Sequence, residues 1–176
     1  MKRYHGLLVV LHWLLAIMII GGLVMGGKVL SATPNSDPEK LFYLRMHMGM
    51  GILILALMLI RLLVRIFSEK PPHADIGNAV VNKLGIATHY VFYLVVFLVA
   101  GSGLAIANMA GLPDIVFGQS GAPLPVDFSE YPPRATHGAL TKLLFVVILG
   151  HLLAFLYHQF VRKDGLFSRM WFGPRE

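Results

Sequence analysis

With 176 residues, 56% hydrophobic and only 14% charged, the chain is more apolar than a soluble domain, which averages about 45–50% apolar and about 25% charged. The absence of cysteine excludes a disulfide scaffold, iron–sulfur clusters and thiolate metal sites, so any metal must be held by histidine, methionine or carboxylate. The net charge of +6 lies beside apolar blocks instead of along one stripe. A lipid bilayer, not nucleic acid, is the partner this implies.

Taken in chain order, apolar runs at residues 7–30, 42–67, 84–109 and 137–161 are each long enough to cross ~30 Å of hydrocarbon. A signal peptide is the competing reading of the first run. At this length, and with His12 and Trp13 inside it, a span is preferred. The links, at 31–41, 68–83 and 110–136, are punctuated by proline and read as loops. The longest contains the apolar triplet Ile115, Val116 and Phe117, a candidate docking surface. The fold class expected is all-α: an integral membrane four-helix bundle, one transmembrane domain over residues 1–176. Of the 15 Lys and Arg residues, Lys28, Lys40, Arg45, Arg134 and Lys142 fall on one side and the rest on the side of both termini. The positive-inside rule then places both termini in the cytoplasm.

Histidines carry the chemistry. Of eight, His12, His47, His89, His151 and His158 fall inside the apolar runs and His137 at the edge of the last, where ionisable groups mark function. His137 and His151 are 14 residues apart, so they share a helix face to within ~40° while standing ~21 Å apart along it. They cannot share one metal ion, but each can hold the iron of its own haem. Depth in the facing runs pairs His12 with His151 and His47 with His137, with His89 a rival to His12. Clustered ligands, which zinc or copper transport would need, are not what this spacing offers. Arg61, again 14 residues from His47, pairs with a haem propionate or snorkels to the headgroups. His89 and His158 near the cytoplasmic end suit proton-coupled quinone chemistry, or else contact propionates or lipid headgroups. His5 and His73 read as surface residues.

Three stretches resemble the bacterial cytochrome b561 family: Leu11-His12-Trp13; Arg45-Met46-His47-Met48-Gly49-Met50-Gly51 with Arg61 and Arg65; and His137 through His151 and His158 to Arg162-Lys163-Asp164-Gly165. With the region around His89 the likeness covers almost the whole chain. It implies a four-helix protein of the bacterial inner membrane with two haem b groups, ligated by His12 and His151 on the cytoplasmic side and by His47 and His137 on the periplasmic side. It also implies quinone contact near His89 and His158. One branch of the family passes electrons from superoxide to ubiquinone. Gly138 departs from the pattern, standing where many members carry an acidic residue.

Superoxide:ubiquinone oxidoreductase is therefore the activity expected, with Arg45, Arg134 and Lys142 able to steer a small anion to the periplasmic pair. Ordinary interfacial anchoring is the other reading of those cations. The alternative function is a haem b relay subunit between quinone and a separate redox partner protein.

Overall fold

The computed structural model describes residues 3–69, 71–72, 77–118 and 120–173. His73, and the Lys2, Lys70 and Arg175 that entered the charge count, lie outside them. Every regular element among the described residues is helical. Helix α1 (Gly6–Val24) runs on through a wider π-helical turn, Met25–Leu30. It is followed by α2 (Glu39–Phe67), α3 (Ala79–Met109), a short α4 (Leu112–Val116) and a 3-10 turn (Phe128–Glu130). Last come α5 (Pro133–Leu156), with its own π-helical turn Tyr157–Arg162, and a short α6 (Leu166–Arg169).

Four of these helices are long and apolar enough to cross a membrane. Each outruns the apolar stretch that announces it, because hydropathy measures lipid thickness while helix ends are set by capping. The Asn78 side chain accepts from the amides of Val80 and Val81, so α3 begins at Ala79, within a link expected to be loop. Asp37 accepts from the Glu39 amide at 2.8 Å and brings Glu39, Lys40 and Leu41 into α2. Pro133 opens α5 where a missing N–H costs nothing.

The link 110–136 also departs from the expectation of a plain loop. Gly111, at φ 63°, turns the chain into α4, and Val116 is fully buried with Leu44, Ala107, Ala110 and Leu112. Arg45 clamps this lid, its Nε and Nη2 donating to the Val116 carbonyl at 3.0 and 2.8 Å. The triplet at 115–117 is therefore largely folded onto the bundle and offers no continuous docking face; Phe117 alone is well exposed.

The main core joins all four long helices through Leu11, Leu15, Ile54, Met58, Tyr93, Val96 and Leu144. Outside it, Ile17, Phe145 and Val146 are 59–70% exposed. A bundle as apolar outside as inside would aggregate in water but is at ease in hydrocarbon. Packing is uneven: α1 lies on α2, α2 on α3, and α3 closely on α5, whereas the backbones of α1 and α2 scarcely approach α5. The first and last described residues lie at one end of the bundle, called the terminal end below. There Lys163 (φ 53°) and Gly165 (φ 70°) reverse the chain, and the segment beyond returns to α1. Trp13 Nε1 donates to the Met170 carbonyl at 2.9 Å, the Tyr4 amide to Arg169 at 3.1 Å, and Arg3 to Phe172 at 2.9 Å.

Candidate functional site

At the end away from the termini, the rings of His47 on α2 and His137 on α5 stand 6.3 Å apart, centre to centre. The His137 Nδ1–H donates to the Val99 carbonyl and to Ser102 Oγ, both at 3.0 Å, while the Ser102 hydroxyl hydrogen goes to that same carbonyl. With Nδ1 so engaged, Nε2 carries the free lone pair, the usual way a ligating imidazole is oriented by its surroundings. Two glycines make room for the rings. A Cβ on Gly26 would stand 3.2 Å from His47 Cε1, and one on Gly103 would stand 3.3 Å from His137 Cε1. An apolar cleft lined by Gly22, Gly51, Val96 and Leu144 opens beside both histidines.

Toward the terminal end, His12 on α1 and His151 on α5 are also 6.3 Å apart. Trp13 meets the His12 ring edge-on at 5.2 Å, and Phe92 meets His151 at 5.4 Å. His89 on α3 lies 6.1 Å from His151, its Nδ1–H donating to the Gly85 carbonyl at 2.9 Å. Distance alone thus leaves two partners for His151. Packing separates them: α3 and α5 are in close contact, while α1 and α5 stand apart, and only a pair spanning separated helices has room for a flat macrocycle. The same holds for His47 and His137, which span α2 and α5.

These distances test the fit of a haem. An iron about 2 Å from one nitrogen of each of two imidazoles places the ring centres roughly 6 Å apart. Both pairs meet that condition without contact between the rings. His47 Nδ1 is buried with no hydrogen-bond partner, as a ring waiting to be fixed by a ligand would be. The residues fit two haem groups, His47 with His137 and His12 with His151.

Arg61 Nη1 donates to the Tyr93 hydroxyl at 2.7 Å, with its guanidinium 5.3 Å from that ring's centre, while its Nε is buried without a partner. It points into the bundle, so snorkelling to headgroups does not describe it. His158 Nδ1 lies 2.6 Å from Asp164 Oδ2. His5 is exposed and caps α1 by accepting from the Leu7 amide. Of the cations proposed to steer an anion, Arg134 and Lys142 share a surface hollow with Asp127 and Gly138, while Arg45 is occupied at Val116. Sequence reasoning gave no role to Tyr93, Val99, Ser102, Gly103 or Asp164. For Asp164 a signal existed: a histidine inside an apolar run needs a polar partner, and this carboxylate follows six residues later.

Residues 3–173 match the profile of a family described as prokaryotic cytochrome b561. A protein of Escherichia coli (strain K12) named "Cytochrome b561 homolog 2" is 27% identical over 96% of this chain and 91% of its own length. One of Yersinia pestis named "Probable superoxide oxidase CybB" is 28% identical over 96% of each chain. Four apolar helices and a match over nearly the whole length make this a multi-pass bacterial membrane protein of electron transfer, and the chain belongs to the prokaryotic cytochrome b561 family.

Proposed function

We propose that this chain is a superoxide:ubiquinone oxidoreductase of the bacterial inner membrane, with both termini cytoplasmic. It takes electrons from superoxide at the periplasmic end and delivers them to quinone at the terminal end. The observation that carries the reading is the repetition of one geometry: two histidine pairs with the same 6.3 Å spacing, each spanning α5 and a helix that stands apart from it, 14 residues apart along α5. Haem b held at each pair supplies one-electron carriage. The chain's own residues do the rest. Exposed Arg134 and Lys142 draw a small anion toward the His47–His137 end. Val99 and Ser102 hold the His137 ring in one tautomer. Arg61, a half-buried cation whose buried Nε–H has no partner, offsets an anionic group such as a propionate between the helices. His158 and His89 lie toward the end where a quinone would need protons. Support for superoxide as donor comes from the resemblance and from the name of the Yersinia relative.

The test is a spectrum of the purified protein, oxidised and reduced, with haem quantified per chain, followed by mixing with superoxide and a short-chain ubiquinone. About two low-spin b-type haems and quinol formed from superoxide alone are expected. Electron flow that requires an added protein would make the chain a relay subunit, and absence of haem bands would end both readings.

A further inference from the structure

The backbone reverses just beyond α5. The helix widens into the π-helical turn Tyr157–Arg162, and Lys163 then takes a left-handed conformation that side chains disfavour, followed two residues later by left-handed Gly165. The result is local and specific. Asp164 is turned back along the helix so that Oδ2 meets His158 Nδ1 at 2.6 Å, while Oδ1 accepts from the Leu166 amide at 3.3 Å. Both side chains are half-buried, 21% and 26% exposed. The Tyr157 ring stands edge-on to His158 at 5.8 Å, and Arg162 is the nearby cation acting on the carboxylate. A short hydrogen bond from Nδ1–H to a half-buried carboxylate fixes the tautomer of the imidazole.

We infer that Asp164 is a positioning residue for proton delivery, holding His158 with Nδ1–H engaged and Nε2 presented to the quinone. This rests on the reading that quinone is reduced at the terminal end. Each quinone takes up two electrons, one at a time, and two protons to become quinol. The electrons come from two superoxide ions, each leaving as dioxygen. One proton passes from Nε2 of His158, when the ring is protonated, to the nearer quinone oxygen, and the other reaches the far oxygen from water at the membrane face. The neutral ring that remains, its Nδ1–H still on Asp164, regains a proton from water at the membrane face. Strained backbone at Lys163 is then the cost of bringing the carboxylate to the ring.

Asp164→Asn keeps the acceptor for Leu166 and removes the charge. With a short-chain ubiquinone as acceptor and the holoprotein in nanodiscs, haem reoxidation in this variant should slow about tenfold or more. Haem content, spectra and reduction by superoxide should stay as in the parent, with kcat falling more than KM rises. Asp164→Glu should restore most of the rate. In the fully reduced, diamagnetic protein, nitrogen-15 resonances of His158 should show Nδ1 protonated in the parent and a mixture of tautomers in Asp164→Asn. Parent-like reoxidation and resonances in Asp164→Asn, together with slow reoxidation in His158→Phe, would overturn the positioning role and leave the quinone reading standing. Parent-like reoxidation in His158→Phe would overturn both.

Discussion

Gly26 and Gly103 stand against the rings of His47 and His137 with no room for a larger side chain: a Cβ would already be at 3.2 and 3.3 Å. Gly103→Leu should therefore push His137 off its bond to Val99 and cost the protein one of two haems, read as haem per chain and as loss of one component of the reduced spectrum. Ser102→Ala should be far milder, because His137 keeps the Val99 carbonyl. In the surface hollow, Asp127 is held ionised well below the usual carboxylate range, chiefly by the Ser129 hydroxyl and then by its amide. It stays a fixed negative charge at every physiological pH. Asp127→Asn should raise the rate of electron uptake from an anionic donor a few-fold at low ionic strength, with the gain vanishing as salt is added. Stopped-flow reduction across a salt series would show it; an unchanged rate at low salt would remove the hollow from the donor's path. Depth in the apolar runs, with ~14 residues of α5 separating the two levels, was enough to suggest His12 beside His151 and His47 beside His137, and it left His89, 6.1 Å from His151, as a rival. It could not supply Val99, Ser102 or Gly103, because α3 meets α5 only through tertiary packing.

At the scale of elements, the joint between α1 and α2 depends on one buried cation. Lys40, 5% exposed, donates from Nζ to the carbonyls of Leu30 and Thr33, both at 2.6 Å, and so satisfies the frayed end of the first span. Lys40→Met would leave those acceptors without that donor and should lower stability by about 1–3 kcal/mol, measured by thermal loss of the haem spectrum in detergent. The segment after α5 is a second such joint. Burial pushes the Asp164 carboxyl up, but the hydrogen bonds from His158 and the Leu166 amide outweigh it and hold the group below its ordinary value. A depressed carboxylate contributes stability that is present above the unfolded value, near 3.9, and is lost as pH falls through the folded one. The fold-back should therefore hold from neutral pH down to about 4 and loosen below. Both tryptophans of the chain, Trp13 and Trp171, pack here 5.7 Å apart, so their fluorescence reports the release. The Lys40 joint was not legible beforehand, and α4 was hidden for a related reason: five residues are too few to show a helical period.

For the whole molecule, the four apolar crossings were plain in the sequence because lipid imposes a length that a hydropathy scan can read. Orientation rests on the excess of Lys and Arg on the terminal side. A reporter fused after Glu176 should be active only if it works in the cytoplasm, and a periplasmic signal would exchange the donor and acceptor ends.

Helix α5 contributes a histidine to each pair and is continuous between them. It is therefore a ruler with two fixed marks, and its tolerance of insertion is a matter of phase. One residue added between His137 and His151 would swing one mark by ~100° and leave its partner on another helix facing a blank side, whereas seven would nearly restore the bearing at the cost of ~10 Å of extra span. The link 31–38 holds no such pair of marks. Change of length in this architecture should accumulate in the connections, while the stretch between the two marks is held to a single count.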